Sequence, residues 1–346
     1  MLSRLLDRIN VPVGRGSWRA AEWCDFEATP ASIRRCCQNM LQKQWTHRIP
    51  FIQEQSPAST ASTHLQTVIN KVADVPGLPR LTVVDFCAGG GGPTPIFERL
   101  INDERKKKGS TPLEFRLCDL YPNTGAWEGF SKKSEHLSYI ADSVDASTPP
   151  RRKSLRFTSQ SQPESATRIF RLFNLSFHHF DDATAQEVLR STFKDSDGFA
   201  IIELQDRRLG CLAMFFFNVF TSLILTPLWF SFKKNKTQYA LTYSGVLPFV
   251  LWWDGLASCL RTREFDDFLE IVGKVDKCVG VRAVESAEGG RCVRWGEWTL
   301  EYKRVLHTWP FGYVNWITGT KRLERVDSVA LARERLGGPS GKETVE

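Results

Sequence analysis

The chain has 346 residues, enough for one large domain or for a core domain with appendages. Its apolar fraction of 42% supports a sizeable core and excludes wholesale disorder. The net charge of +7 is modest for this length, and the basic residues fall in short runs typical of solvated loops, so nucleic-acid binding is not expected.

Nine cysteines are scattered along the chain without a CxxC pair or a Cys/His spacing that holds zinc. We therefore predict reduced, buried thiols and no metal ion. Charged residues interrupt the first twenty positions and leave no apolar segment for a signal peptide. A cytoplasmic protein is expected, with membrane association as the alternative raised by a later apolar segment.

Residues 1–80 predict a mostly helical preface. Helical spacing of apolar residues indicates a helix over 31–45. The polar, serine-rich segment 53–63 predicts a loop, and 63–72 predicts a second helix. We expect this preface to pack over a ligand site or a sheet edge.

The stretch from Leu81 to Pro95 combines a strand, a glycine-rich turn and a helix start. The β-branched run 81–84 is typical of a buried strand in a parallel sheet. The four glycines Gly89 to Gly92 let the backbone turn sharply and let a ligand lie against bare main chain. Because free amides at a helix N-terminus suit an anionic or polar ligand, this stretch predicts a nucleotide-type loop.

Four more strands are predicted after the loop, over 114–118, 139–141, 168–173 and 198–204. Helices are predicted at 96–102 and 183–193, and a Pro/Ser/Arg-rich insertion at 147–165. The alternation favours a doubly wound α/β sheet, in which ligands bind at the carboxyl ends of the strands. Those ends place the following residues around one crevice: Asp85, the glycines, Asp119, Asp142, His178, His179 and Glu203.

Together these features resemble the class I S-adenosylmethionine-dependent methyltransferases. The family's first motif is an acidic residue followed by glycines two, four and six positions on. Asp85, Gly89 and Gly91 match it, whereas Cys87 stands where the first glycine would be. The resemblance covers residues 81–205, taken as a cofactor-binding core, and implies a seven-stranded methyltransferase-type sheet.

The resemblance also implies S-adenosylmethionine as cofactor and S-adenosylhomocysteine as product. Asp119 matches the residue that binds the ribose, Asp142 with Ser143 matches the adenine end, and 177–180 matches the segment that faces the methyl donor. The cofactor-binding residues implied are Asp85, Cys87, Ala88, Gly89, Gly91, Asp119, Leu120, Asp142, Ser143, Asn174 and Phe177.

Two other nucleotide-binding classes fit the loop less well. A dinucleotide fingerprint needs Gly-x-Gly-x-x-Gly, and the final glycine is missing here. A phosphate-binding loop of the Walker type needs Gly-Lys-Ser/Thr, which is also absent. A methyltransferase is therefore favoured over a dehydrogenase or an ATPase.

Residues 206–262 predict an apolar helical insertion after the fifth strand. Its segment 209–232 carries no charge and is long enough to span a bilayer, although Pro227 interrupts it. Three interpretations remain open: a lid lining an apolar substrate pocket, a helix facing a membrane, or a buried helix pair packed on the sheet.

The rest of the chain restores sheet character. Residues 263–320 predict an amphipathic helix over 265–275 and two antiparallel strands over 291–302 and 312–318, the sixth and seventh of the sheet. The charged tail 321–346 is expected to fray.

Methyl transfer to oxygen or nitrogen benefits from a base that removes a proton from the acceptor. His178 and His179 fall where such a base would stand, and only one is expected to face the crevice, because neighbours on an extended chain point opposite ways. A structural histidine is the alternative for each. Glu203 is a candidate to orient the substrate or a histidine, and Asp254 is a weaker catalytic candidate.

The sequence thus predicts a methyltransferase acting on a small, largely apolar molecule of specialised metabolism. Two alternatives remain: a methyltransferase fold that cyclises or isomerises an apolar substrate, and a non-catalytic scaffold associated with a membrane.

Overall fold

The protein is described by a computed structural model that covers residues 9–14, 18–76, 78–150, 155, 168–277, 280–284 and 290–322. Most of the expected insertion at 147–165 and nearly all of the tail at 321–346 lie outside these residues.

One sheet runs through the molecule. Its strands are β1 (Leu81–Phe86), β2 (Glu114–Leu117), β3 (Leu137–Tyr139), β4 (Arg168–Asn174), β5 (Gly198–Glu203), β6 (Val281–Val284), β7 (Arg291–Trp295), β8 (Trp298–Thr308) and β9 (Gly312–Lys321). Their order across the sheet is β3-β2-β1-β4-β5-β9-β8-β7-β6. Strands β1 to β5 are parallel, whereas β9 is antiparallel to β5 and each later neighbour is antiparallel to the last.

The expectation of seven strands is corrected to nine within the part of the chain that the structure describes. The segment 291–302 was predicted as one strand, but it forms β7 and the start of β8, joined by a two-residue turn between Trp295 and Trp298. Gly296 in that turn has a φ of +56°, which the tight hairpin turns require. The remaining extra strand, β6, pairs with β7.

The helices of the described residues are α1 (Ala31–Thr46), α2 (Pro57–Ala73), α3 (Thr94–Lys107), α4 (Thr124–Ser131), α5 (Asp182–Asp195), α6 (Leu209–Trp229), α7 (Lys236–Tyr243), α8 (Val246–Arg261) and α9 (Phe265–Val275). Short 3-10 turns lie at Trp23–Asp25 and Phe177–His179.

Both faces of the parallel strands are buried. Neighbouring residues of β1 enter opposite clusters, since Val84 packs with residues of α5 and α9 whereas Val83 packs with residues of α2 and α3. This is the arrangement expected of a parallel sheet with helices on each face.

The preface differs from its prediction in one element. The segment 53–63 was predicted as a loop, but α2 begins inside it at Pro57. Ser56 caps this helix by accepting a hydrogen bond from the Ser59 amide at 3.2 Å, and Pro57 occupies the first helical turn. Both residues favour a helix start, which outweighs the polar composition that suggested a loop.

The insertion after β5 consists of α6, α7 and α8. Buried residues of α8 form a third cluster with α1 of the preface, and partly buried side chains of α7 pack against it. Pro227 does not interrupt α6, because it lies in the last turn. The Leu223 carbonyl, which a Pro227 amide would otherwise bond, accepts instead from the Tyr243 hydroxyl at 3.2 Å.

Among the described residues, α6 is the one helix long and apolar enough to cross a membrane by length and composition, which is weak evidence taken alone. Only 28% of its most apolar window is buried, and the exposed side chains include Phe216, Phe217, Phe220, Ile224 and Leu228.

Candidate active site

The glycine-rich loop follows β1 and leads into α3. Gly89, Gly91 and Gly92 have φ angles of +51°, +97° and +46°, a region that glycine adopts without strain. Cys87, which stands where the family pattern has glycine, also has a positive φ of +58°. Burial and nearby carboxylates raise the pKa of the Cys87 thiol, which favours its neutral form over the nucleophilic thiolate.

Asp85 lies fully buried beneath this loop. Its Oδ2 accepts from the Thr94 hydroxyl at 2.5 Å, and its Oδ1 accepts from the Asn174 side-chain amide at 3.1 Å. Burial raises the pKa of Asp85 to about 8, against the opposing effect of these two donors. Asp85 therefore joins the ends of β1 and β4 to the start of α3 and fixes the frame of the loop.

Asp119 and its neighbours border the loop on the β2 side. Asp119 Oδ2 accepts from the Gly89 amide at 2.8 Å, and its Oδ1 accepts from the Tyr121 amide at 2.8 Å. The Ser143 hydroxyl donates to the Leu120 carbonyl at 2.7 Å, and Asp142 is exposed beside it. The structure therefore brings the residues predicted for ribose and adenine together at one edge of the sheet.

A cavity of about 1000 Å³ opens from the glycine loop. Its lining includes seven of the residues predicted from sequence, which are Cys87, Ala88, Gly89, Asn174, His178, His179 and Asp254. Its lining also contains apolar side chains from the preface and the insertion, including Leu41, Trp45, Phe215 and Leu251. One cavity therefore connects the loop to an apolar surface.

Two predicted residues lie behind this cavity. Phe177 is buried in the core against Phe173, Phe180 and Phe268, and Glu203 is buried behind His178. Both line a small internal cavity of about 20 Å³ instead.

Both histidines face the large cavity, and the expectation that only one would do so is corrected. Residues 177–179 form a 3-10 turn and not an extended chain, so neighbouring side chains do not alternate. The two imidazole rings are 4.3 Å apart. His178 Nδ1 lies 3.0 Å from Glu203 Oε2, and His179 Nδ1 lies 3.3 Å from Asp25 Oδ1.

The segment Glu22 to Asp25 completes this wall, and the sequence reasoning missed it. Arg261 Nη1 donates to Glu22 Oε1 at 3.1 Å and to Asp25 Oδ2 at 2.7 Å. Although burial opposes it, bonding to His179 and Arg261 lowers the pKa of Asp25 to about 2. Burial also opposes protonation of His179, but Asp25 and Glu22 outweigh it and raise the His179 pKa.

Asp254 holds this segment in place. Its two oxygens accept from the backbone amides of Trp23 at 2.6 Å and Cys24 at 3.1 Å. Burial raises the pKa of Asp254, partly offset by these bonds. The contacts support a positioning part for this carboxyl, although the sequence suggested a catalytic one.

No protein-family model and no curated protein matches the chain. Among solved structures, the magnesium protoporphyrin IX methyltransferase ChlM from Synechocystis PCC 6803, with bound S-adenosylmethionine, is 9% identical at a TM-score of 0.37 and aligns over 86% of this chain and all of its own. The plantazolicin methyltransferase BpumL in complex with S-adenosylhomocysteine is 10% identical at a TM-score of 0.36, and the alignment covers 84% of this chain and 98% of BpumL. The [4+2]-cyclase SpnF is 9% identical at a TM-score of 0.39, and the alignment covers 90% of this chain and all of SpnF.

The fold follows from the strand arrangement of the protein itself. Five parallel strands run in the order 3-2-1-4-5, an antiparallel strand adjoins β5, and the glycine loop follows the central strand β1. Such a sheet binds its ligand at the carboxyl ends of the strands, where the order reverses. The chain has a class I methyltransferase-type fold.

Proposed function

We propose that the protein is an S-adenosylmethionine-dependent methyltransferase that acts on a small, largely apolar molecule of specialised metabolism. The observation that carries the proposal is one cavity that is lined by the glycine loop, by apolar side chains of the preface and the insertion, and by two imidazoles. A methyl donor on the loop and an acceptor against the apolar helices would meet beside the histidines.

The loop has room for a cofactor against its main chain. A methyl group added at Gly89, Gly90 or Gly92 would have no neighbour within 4 Å, so this surface is open. The residues that would hold the cofactor are the loop and Asp119, whose carboxylate is fixed beside Gly89 and retains lone pairs for ribose hydroxyls. The bound cofactor supplies an electrophilic methyl group.

His178 is the side chain best placed to accept a proton from the acceptor. Because its Nδ1 faces the Glu203 carboxylate, the proton of the neutral ring resides on Nδ1 and Nε2 carries the free lone pair. Gln205 donates to Glu203 Oε2 at 2.9 Å and holds that carboxylate in place. Glu203 would also stabilise the imidazolium formed after proton transfer.

Calorimetric titration of the full chain with S-adenosylmethionine and S-adenosylhomocysteine tests the proposal. We expect both to bind, and we expect Asp119→Ala to weaken both by tenfold or more, since the variant loses a ribose acceptor and the clamp on Gly89. Asp103→Ala, an exposed change on α3, is the matched control. Absence of binding to the folded protein would overturn the proposal. Binding without methylation of any apolar acceptor would favour the cyclase or isomerase alternative.

We also propose that α6 contacts an anionic membrane surface. Support comes from its exposed aromatic and aliphatic side chains and from the exposed residues that follow it, Phe232, Lys233, Lys234 and Lys236. An apolar face next to lysines suits insertion among anionic headgroups. Because α6 also packs on α7 and α8, a helix lying in the interface fits better than one that spans.

Vesicle flotation tests this contact. The protein is expected to float with vesicles that contain phosphatidylserine and to remain below with phosphatidylcholine alone. The double variant Phe217→Ser and Leu228→Ser is expected to lose flotation, and Val281→Ser with Leu306→Ser, two exposed sheet positions, serves as control. Flotation of the double variant at the level of wild type would refute the contact. Self-association of the protein through α6, without flotation, would also refute it.

A further inference from the structure

We propose that Glu22, His178 and His179 bind a divalent first-row transition-metal ion on the wall of the large cavity. One ligand atom from each residue lies within 4.8 Å of the others. His178 and Glu22 are buried, and His179 is 38% exposed toward the cavity. Nothing in the local sequence indicates this cluster, because Glu22 comes from the preface and the histidines follow β4.

The facing atoms of His178 and Glu22 are both acceptors. His178 Nδ1 bonds Glu203, so Nε2 presents a lone pair, and this buried nitrogen has no hydrogen-bond partner among the described residues. It points at Glu22 Oε1 from 3.7 Å, too far for a hydrogen bond. A metal ion between these two atoms would give His178 Nε2 the partner that it lacks.

The outer contacts are those that metal ligands require. Each histidine has a carboxylate on its Nδ1, Glu203 for His178 and Asp25 for His179, and each directs its Nε2 toward Glu22. Such carboxylates fix the tautomer and orientation of ligating histidines. Arg261 and the Ser258 hydroxyl bond Glu22 Oε1, whereas Glu22 Oε2 lies 4.0 Å from His179 Nε2.

The local charge is also suited to a divalent ion. Three carboxylates, Glu22, Asp25 and Glu203, surround the two imidazoles, and Arg261 is the cation bonded to two of them. With neutral imidazoles the group has a net charge of −2, from three negative charges and one positive charge. Arg261 approaches Glu22 and Asp25, so it balances part of this charge and leaves the rest for an ion at the Nε2 atoms.

Two imidazoles and one carboxylate favour iron, zinc or a similar ion and leave coordination positions open. Those positions would face the cavity, where a hydroxyl or enol of the apolar acceptor could bind. With the ion bound, His178 Nε2 would be a ligand and not the base, and the coordinated hydroxyl would lose its proton more readily, to water in the cavity, which would make it a better nucleophile. This role rests on the proposed methyl transfer, but metal binding itself does not.

Cobalt titration tests the site without an activity assay. The chelator-treated full chain is titrated with Co²⁺ and followed by visible absorption and metal analysis. We expect about one ion per chain with a ligand-field spectrum, and an affinity reduced at least tenfold by Glu22→Gln or His179→Ala. His136→Ala is the matched control, because His136 also bonds a glutamate, Glu114 at 3.1 Å, away from the cavity.

The outcomes separate this proposal from the proposed function. Failure to take up Co²⁺, or uptake equal in wild type, Glu22→Gln and His179→Ala with circular dichroism unchanged, would overturn the metal site. Because His179 is partly exposed, His179→Ala is expected to fold and still tests the site if Glu22→Gln misfolds. S-adenosylhomocysteine binding to wild type is measured in parallel. If wild type takes up cobalt but does not bind S-adenosylhomocysteine, only the methyltransferase proposal is overturned.

Discussion

Replacing Asp85 by Asn should change how the stability of the protein depends on pH. Asp85 is buried beneath the glycine loop, and burial raises its pKa from 3.8 to about 8. In the unfolded chain this carboxyl loses its proton near its ordinary pKa, whereas in the folded protein it keeps the proton up to about pH 8. Between these values the folded state binds more protons than the unfolded state. The contribution of Asp85 to stability therefore falls as pH rises through this window.

The size of the effect follows from the linkage relation. A single group changes the free energy of unfolding by at most about 1.4 kcal/mol per pH unit, so the window between 3.8 and about 8 corresponds to an upper limit of about 6 kcal/mol. Asn resembles the protonated acid in shape and charge. Its carbonyl can still accept from Thr94, and its amide can donate to Asn174 Oδ1 once the Asn174 side-chain amide rotates, because the Asn174 NH2 group now faces Asp85 Oδ1.

The measurement is urea unfolding of wild type and Asp85→Asn between pH 5 and pH 8, followed by tryptophan fluorescence. We expect the difference in unfolding free energy to shift in favour of the variant by about 1 kcal/mol or more per pH unit. Asp103→Asn, an exposed change on α3, should run parallel to wild type. Parallel slopes for Asp85→Asn and wild type would refute a protonated Asp85 in the folded protein.

Two further changes test the loop and the cavity wall. Gly91→Ala should lower the unfolding free energy by about 1–3 kcal/mol, because φ is +97° and the added carbon would lie 2.9 Å from Phe130. The matched variant Gly90→Ala should change the unfolding free energy by no more than about 0.5 kcal/mol, because no atom lies within 4 Å of the added carbon. In calorimetry, Gly90→Ala should bind S-adenosylhomocysteine more weakly than wild type. Equal stability of the two variants would contradict the loop geometry. Asp254→Ala should cost about 1–3 kcal/mol, since the Trp23 and Cys24 amides lose their acceptor, while Asp254→Asn keeps one acceptor and should cost less in the same unfolding assay. An unchanged unfolding free energy in Asp254→Ala would show that the turn at Trp23–Asp25 does not depend on this carboxyl.

The parallel half of the sheet could be predicted because its signals are local. The run before Asp85 is apolar and β-branched, and glycines follow it directly, so strand and loop are specified within a few residues. The antiparallel half was misjudged because a two-residue turn at Gly296 divides what looks like one alternating run. Periodicity alone does not reveal where such a run folds back on itself.

The acceptor side of the cavity could not be predicted in the same way. His178 was found because it follows β4, but its surroundings depend on Glu22, which folding brings from the preface. The orientation of His179 depended on a 3-10 turn that an extended-chain assumption excludes. The contacts of His178 with Glu22 and of His179 with Asp25 join segments far apart in the chain, so no local residue spacing indicates them.

One helical pattern did carry information about this wall. Asp254, Ser258 and Arg261 are spaced four and three residues apart in α8, which places them on one face of an otherwise apolar helix. All three bond the segment 20–25, through its amides, Glu22 and Asp25. A polar stripe on a buried helix needs polar partners, and these three residues find theirs in the preface. The insertion thus fixes Glu22 beside the histidines, so the preface, the β4 turn and the insertion together shape the end of the cavity where an acceptor would bind.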